Sequence, residues 1–247
     1  MRDLHVVYLY HSTTPDKDQV YNLLNHHTRI FSKYNPSLDY TVLCDDGKYE
    51  GDGFVTYDDS SRPYSSYGRA WKTCDLIFLK HVASEQAVKA KHYLYVEYDC
   101  YINTNISNLI DRYKGYDVSY SFHHDFGDNK EFYWYKEHED VIKKYNIPPE
   151  HLCCMSPFNF TLWKREFLLE CVNEYINHTD MYQTLVSDVR LGLMCNRLKA
   201  NKKLFIRPDD RVFNYAMKRH QDEARIALRY YTNGVFHAIK ELSNIGS

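Results

Sequence analysis

The pattern of apolar and polar positions predicts strands and helices that alternate along the chain. Apolar, β-branched and aromatic runs predict strands at 4–10, 40–44, 54–57 and 93–96. Apolar residues at helical spacing predict helices from residue 18 to just before 35 and over 68–82. This alternation favours an α/β fold, with helices flanking a mixed, mostly parallel central sheet joined by right-handed crossovers.

The second half of the chain continues the alternation less regularly. The pattern predicts helices over 106–113, 164–176, 181–198 and 212–230, and strands over 117–122, 152–163 with a break at 156–157, and 204–206. Residues 126–149 suit either a partly ordered excursion in which Tyr133, Trp134 and Tyr135 stack against a sugar, or a surface helix whose aromatic side is buried. Because no repeat or convincing linker divides the 247 residues, we expect one domain over 1–247.

The most informative stretch is residues 91–103, KHYLYVEYDCYIN. Its apolar run predicts a buried central strand, and the polarity changes abruptly at Glu97 and Asp99. Ligands bind at the carboxyl ends of parallel strands, and the period of two places both carboxylates on one side of the strand. They could together hold a divalent cation, or divide a ribose hydroxyl and a cation between them. The alternative is an acidic strand end that merely faces water.

The composition restricts both the kind of partner and the cellular compartment that we expect. Lys and Arg total 31 against 33 for Asp and Glu, and the pI is near 6.7, so no basic field attracts nucleic acid. The seven cysteines form no CxxC pair, which is typical of reduced thiols in a cytosolic protein and not of a disulfide framework or a zinc site. The chain enters a strand pattern without a basic and apolar leader, and no apolar run reaches the ~18 residues of a membrane span. We therefore expect a soluble, cytoplasmic protein.

Two further groups of side chains invite a chemical interpretation. Arg69, Lys72 and Lys80 follow the third strand and would carry positive charge near the acidic strand ends, or simply form a solvated helix face. The run His123-His124-Asp125 contains metal-binding residue types, but the sequence offers no third ligand at a characteristic spacing. We therefore expect no metal site there.

Near the C-terminal end of the sequence there is a further motif, Gly234-Val235-Phe236-His237 followed by Lys240. Together with Glu97-Tyr98-Asp99 and the order of elements, it resembles the GT-A (Rossmann-like) class of nucleotide-sugar glycosyltransferases, in particular the small soluble ones encoded by large algal viruses. The chain departs from that pattern in having Glu97 as the first acid and Ala238 after the histidine.

The resemblance implies a site for Mn²⁺ (or Mg²⁺) and a nucleotide-sugar donor, by default a UDP-sugar, with a glycan hydroxyl as acceptor. It implies a nucleotide-binding half over 1–103 and an acceptor-side half over 104–247. Asp99 and His237 would be metal ligands, and Glu97 would bind the ribose or the metal. Lys240 would meet the diphosphate, with Arg69 as a second candidate, and Thr13 and Asp45, or Asp46 in its place, would contact the base.

The mechanism and two competing functions stay open at this point. An inverting enzyme needs a general base, for which Asp188 at the start of a helix is the candidate and Asp209 or Asp210 the next choice. Asp188 could instead complement the helix dipole, and a retaining enzyme would need no such base. The alternatives are a sugar-1-phosphate nucleotidyltransferase, although the loop HSTTPDKD has none of the glycines usual in such enzymes, and a non-catalytic binding module of the same fold.

Overall fold

The computed structural model describes residues 1–10, 17–44, 54–56, 66–155, 160–205, 210–214 and 233–237. The strands are β1 (Arg2–Tyr10), β2 (Tyr40–Cys44), β3 (Phe54–Thr56), β4 (Ala90–Glu97), β5 (Tyr101–Ile102), β6 (Val118–Tyr120), β7 (His123–Asp125), β8 (Cys153–Met155), β9 (Thr161–Lys164), β10 (Lys202–Leu204), β11 (Val212–Asn214) and β12 (Val235–His237). The helices are α1 (Lys17–Tyr34), α2 (Ser66–Ala83), α3 (Ser107–Tyr113), α4 (Tyr133–Lys144), α5 (Arg165–Asn177), α6 (Thr179–Tyr182) and α7 (Ser187–Arg197).

The central sheet has seven strands in the order β10-β6-β9-β4-β1-β2-β3. The neighbours β3, β2, β1 and β4 are parallel, whereas β9 runs antiparallel to both β4 and β6. This is the mixed, mostly parallel α/β sheet that the alternation of strands and helices predicts. The prediction of the fold class is therefore confirmed.

Both faces of this sheet are covered, which is why its central strands are continuously apolar. Alternate residues of β1 and β4 enter two different clusters. Val7, Leu9, Tyr93 and Tyr95 pack with α2, α5 and α7, whereas Tyr8, Leu94 and their neighbours pack with α1 and α3. Because residues on both faces of β4 are packed in the core, the strand is held in place up to its end, where Glu97 and then Asp99 follow.

A second sheet of three strands, in the order β11-β12-β5, lies beyond the end of β4. Strand β12 pairs antiparallel with β5 and parallel with β11. Residues 212–214 therefore form a strand, so the prediction that a helix begins at 212 is wrong. The rest of that predicted helix, 215–230, lies outside the described residues.

Two other predicted elements are corrected by the structure, and one open choice is decided. The strand expected over 152–163 is two strands in different sheets, β8 paired with β7 and β9 in the central sheet. The strand expected at 204–206 begins two residues earlier as β10. Of the two interpretations of 126–149, the surface helix is confirmed, because α4 buries Tyr135, His138 and Ile142.

The long helix predicted over 181–198 is divided into α6 and α7. Side chains satisfy the backbone groups that a continuous helix would have paired: Arg190 Nε donates to the Tyr182 carbonyl at 2.8 Å, and the backbone N–H of Val186 donates to His138 Nε2 at 3.0 Å. Leu185 and Val186, in the break, are buried. The break makes Asp188 a residue of the first turn of α7.

Within the described ranges, no helix combines the length and the apolar character that crossing a bilayer requires.

Candidate metal centre

The centre begins where β4 leaves the sheet. Glu97 is the last residue of β4 and lies beside Leu9 of β1 in parallel register. The Tyr98 N–H still donates to the Leu9 carbonyl at 2.9 Å, and the Cys100 N–H then turns back to the Glu97 carbonyl at 3.0 Å. The two carboxylates therefore come together through this turn, and not through the alternation of a continuing strand that the sequence predicts.

Strand β12 brings His237 to the same place from the far end of the chain. Phe236 pairs with Tyr101 in the antiparallel register, so His237 follows at the position opposite Cys100, and its side chain reaches the neighbouring Asp99. Asn103 and Gly234 exchange two hydrogen bonds that fix this register: Gly234 N–H to Asn103 Oδ1 at 2.8 Å and Asn103 N–H to the Gly234 carbonyl at 3.1 Å.

The three side chains form one compact cluster. His237 Nε2 lies 2.9 Å from Glu97 Oε2 and 3.2 Å from Asp99 Oδ1. A ligand atom from each residue lies within 4.8 Å of the others. The exposed fractions of the side chains are 14% for Glu97, 3% for Asp99 and 6% for His237. Two carboxylate oxygens and one imidazole nitrogen, nearly removed from water, are a donor set that fits Mn²⁺ or another divalent first-row ion.

The electrostatics favour a positive charge between the carboxylates. Burial opposes protonation of His237, but the charges and hydrogen bonds of Asp99 and Glu97 outweigh it and raise the pKa of the imidazole to about 9. The two carboxylates therefore favour the protonated form of the imidazole. A divalent ion bound between the two buried carboxylates would balance their negative charge, as the protonated imidazole does.

A buried histidine of α1 supports the turn that carries the carboxylates. His27 Nδ1 donates to the Tyr98 carbonyl at 2.9 Å. Burial lowers the pKa of His27 to about 4, although the hydrogen bond and the charge of Asp99 act in the other direction. The ring is thus neutral at physiological pH, and it fixes the backbone between the two acids without adding charge. Sequence alone gives no reason to select this histidine.

Burial and the charge of Glu97 both contribute to the pKa of Asp188, the candidate base. Burial, first, and the charges of Glu97 and Asp75 together raise the pKa of Asp188 to about 8. Because Glu97 affects this pKa, the protonation of Asp188 is coupled to the negative charge at the end of β4. A carboxyl whose pKa lies near neutrality is suited to general-base catalysis.

Asp75 and Arg190 near Asp188 are functional candidates that sequence reasoning missed. Both side chains are fully buried, and Arg190 Nη1 donates to Asp75 Oδ1. Asp75 lies on α2 and Arg190 on α7, two residues after Asp188. An acid and an arginine 115 positions apart give no local sequence signal, so only the fold reveals the pair.

The other predicted site residues have different outcomes. Asp210 is buried and engaged by Arg112 Nη2, at 2.6 Å, and by the Tyr113 hydroxyl, which favours a structural role. Arg69 lies in α2, but its side chain is outside the described part of the chain. The remaining predicted residues, which are Thr13, Asp45, Asp46, Asp209 and Lys240, also lie outside the described residues and stay predictions.

Comparisons with known proteins give structural neighbours only. No family model matches the chain, and the search of curated proteins gives no match. A galactosyltransferase, LgtC, in complex with donor and acceptor sugar analogues is 10% identical, with a TM-score of 0.45 over 81% of this chain and 72% of LgtC. Mouse xyloside xylosyltransferase 1 is 12% identical, with a TM-score of 0.47 over 90% of this chain and 92% of that one.

The mannosyltransferase Ktr4p of S. cerevisiae, in complex with GDP, is 12% identical, with a TM-score of 0.42 over 78% of this chain and 66% of that one. At these identities and TM-scores the likenesses assign no donor, acceptor or mechanism to this chain. Any function must therefore be argued from the geometry of its own site.

Proposed function

We propose that the chain is a metal-dependent glycosyltransferase that moves a sugar from a nucleotide sugar to a hydroxyl of a glycan acceptor. The observation that carries the proposal is the cluster of Glu97, Asp99 and His237 at the carboxyl end of a parallel strand. In parallel α/β sheets this edge is where ligands bind. The cluster agrees with the resemblance of the two motifs to the GT-A class.

Asp99 and His237 would hold the cation, and Glu97 would complete the set or bind the ribose of the donor. The bound cation supplies positive charge that offsets the negative charge on a diphosphate leaving group. Little of this site is accessible to water, because the Asp99 and His237 side chains are almost fully buried. Low exposure strengthens each of these charge interactions.

Asp188 would act as the general base on the acceptor hydroxyl, which implies inversion at the transferred carbon. Burial raises the pKa of its carboxyl to about 8, which strengthens it as a base once it is ionised. The fixed start of α7 holds Asp188 in place, because Arg190 of the same helix is bound to Asp75. We assign proton transfer to Asp188 and not to Asp210, since Asp210 is already paired with Arg112 and Tyr113.

The donor is proposed to be a UDP-sugar on the basis of the resemblance. Thr13 and Asp45 would contact the base, and Lys240 and Arg69 would meet the diphosphate. None of these four side chains is described, so their contacts are predictions to be tested by substitution.

The test is binding and slow hydrolysis of a panel of UDP-, GDP- and TDP-sugars with and without Mn²⁺. The wild-type chain is compared with Asp99→Asn and His237→Gln, which keep the size of each side chain. The matched control is Asp111→Asn, which removes an exposed carboxylate that is paired only with Lys114 in the described structure.

We expect one donor to bind with Mn²⁺, and binding to fall by more than about 100-fold in Asp99→Asn and His237→Gln but not in Asp111→Asn. Binding that is equal with and without a divalent ion, or no binding of any nucleotide sugar by a folded chain, would overturn the proposal. A nucleotidyltransferase would be recognised by release of pyrophosphate from a nucleoside triphosphate and a sugar 1-phosphate.

A further inference from the structure

A second cluster of metal-binding residue types lies on the two-stranded sheet formed by β7 and β8. Asp125 is directly opposite Cys153, and His123 is directly opposite Met155. Opposed residues of an antiparallel pair, and residues two apart on one strand, point to the same face. One face of this sheet therefore carries a carboxylate, an imidazole, a thiol and a thioether.

The ligand atoms of His123, Asp125 and Cys153 lie within 4.8 Å of one another. His123 Nε2 is 2.8 Å from Asp125 Oδ1. The other ring nitrogen, Nδ1, is buried and makes no hydrogen bond to any described residue, which is costly for a polar atom. A bound ion would relieve that cost, either at Nδ1 directly or by allowing the ring to reorient.

Two contacts of Cys153 would stabilise a metal-bound thiolate, although burial disfavours the free one. The thiol is fully buried, and the side-chain amide of Asn196 donates to its sulfur at 3.2 Å. The Lys202 ammonium, bonded to Asn196 Oδ1, adds a positive charge that favours the thiolate. Hydrogen bonds to a ligand sulfur and a nearby cation are the outer contacts that support metal-bound cysteines.

We propose that His123, Asp125 and Cys153 bind a Zn²⁺ ion, separately from the cluster of Glu97, Asp99 and His237. Imidazole, carboxylate and thiolate together match the N, O and S ligands of zinc, whereas the first cluster has no sulfur ligand. Three protein ligands leave a fourth tetrahedral position for water or for the Met155 thioether. The side chain of Asp125 is 76% exposed, so an ion can reach the site from solvent.

Binding replaces the Cys153 S–H bond by a bond from sulfur to zinc and releases the proton to solvent. Burial raises the pKa of the free thiol to about 12, and the charge of Lys202 opposes that rise. A coordinated thiol is deprotonated outright by the ion. The ion would join β7 to β8, and α7 packs closely on β8 because Gly192 lies against the Cys153 carbonyl.

Co²⁺ is the probe that separates this site from the first cluster, because a thiolate bound to Co²⁺ gives a charge-transfer band in the near ultraviolet. The titration is made on the full chain and on Asp99→Asn, which disables the first cluster. We expect the band in both proteins, and Zn²⁺ should displace Co²⁺ and abolish it.

Substitutions of the three proposed zinc ligands are compared with a substitution on the opposite face of β7. His123→Gln and Cys153→Ser should remove the band and weaken Zn²⁺ binding by at least about 100-fold, and Asp125→Asn by at least about tenfold. His124→Gln is the matched control on the opposite face and should leave both unchanged. If Cys153→Ser does not fold, His123→Gln against His124→Gln decides alone. Absence of the band in the wild-type chain, or equal Zn²⁺ affinity in those two variants, would overturn the proposal.

Discussion

Arg190 and Asp75 form an ion pair in which both side chains are fully removed from solvent. Arg190 also donates through Nε to the Tyr182 carbonyl at 2.8 Å and through Nη2 to the Leu185 carbonyl. One guanidinium thus joins α2 to the segment between α6 and α7. The pair determines where α7 begins, and therefore where Asp188 lies.

The substitution Arg190→Met should lower the free energy of unfolding by about 3–5 kcal/mol, because it leaves the Asp75 carboxylate buried without its cation. Urea denaturation at neutral pH measures the loss. The double substitution Arg190→Met with Asp75→Asn should recover part of it, since the uncompensated charge is then absent. A loss below about 1 kcal/mol in Arg190→Met would show that the pair does not stabilise the interface.

Titration of the buried histidines should lower the stability of the chain as the pH decreases from about 6.5 to 4, whereas the raised pKa values of Asp188 and His237 act in the opposite direction. Burial lowers the pKa of His5 to about 4, and its Nε2 is hydrogen-bonded to Thr41 Oγ1 at 2.8 Å. The unfolded side chain has a pKa of 6.5, so below that pH the unfolded state binds a proton that the folded state does not.

At pH 5 this costs the folded state about 2 kcal/mol relative to pH 8 for His5 alone. Burial also lowers the pKa of His81 to about 4, so His81 contributes in the same direction. Thermal or urea unfolding from pH 8 to pH 4.5 measures the slope. His5→Asn does not titrate in this range, so the variant should lose less stability on acidification than the wild type by the amount that His5 contributes. An identical pH dependence in the two proteins would contradict the assignment to His5.

The sequence predicts the strands and helices that carry strong apolar periodicity, including β1, β2, β4, α1, α2 and α5. It fails where tertiary contacts override the local pattern. The helix pattern over 181–198 is broken because Arg190 and His138 satisfy backbone groups from elsewhere in the fold. Residues 212–214 become a strand because β12, more than twenty positions later, pairs with them.

The same distinction holds for the candidate sites. Glu97 and Asp99 are two residues apart at a recognisable strand end, so their proximity is predictable, although a turn produces it instead of the alternation of the strand. Cys153 is 28 positions after Asp125 and meets it only through strand pairing, so the sequence does not reveal that Cys153 lies beside His123 and Asp125. A ligand set assembled across strands leaves no fixed spacing to recognise.

Asp188→Asn should abolish transfer while preserving binding of the donor. The amide keeps the shape of the carboxylate but cannot accept the acceptor's proton, so we expect kcat to fall by about 10²–10⁴. Isothermal titration with the donor and Mn²⁺ measures binding, and product formation at saturating donor measures turnover. A comparable loss of donor affinity would assign Asp188 to binding instead.

The pH profile of the proposed transfer reaction provides an independent test of Asp188. Burial and the charges of Glu97 and Asp75 raise the pKa of the carboxyl to about 8, so transfer should increase with pH as the group loses its proton. A bound cation would offset the charge of Glu97, so the midpoint should lie at or below about 8. A rate that is independent of pH from 6 to 9 would exclude Asp188 as the base.

Gly234 should control metal binding although it supplies no ligand. A Cβ at this position would lie 2.8 Å from the Arg211 carbonyl oxygen and 3.2 Å from the Phe236 ring. Both neighbours belong to the three-stranded sheet or flank it, so Gly234→Ala must shift the start of β12. The same residue exchanges two hydrogen bonds with Asn103, which fix His237 beside Asp99.

We therefore expect Gly234→Ala to lose about 1–3 kcal/mol of stability and to bind Mn²⁺ at least about tenfold more weakly. The matched control is Gly115→Ala, whose Cβ would have no atom within 4 Å and which should leave Mn²⁺ affinity unchanged. Titration of Mn²⁺ below the unfolding temperature of both variants makes the comparison. If Gly234→Ala folds and binds Mn²⁺ as the wild type does, Gly234 does not control the position of His237.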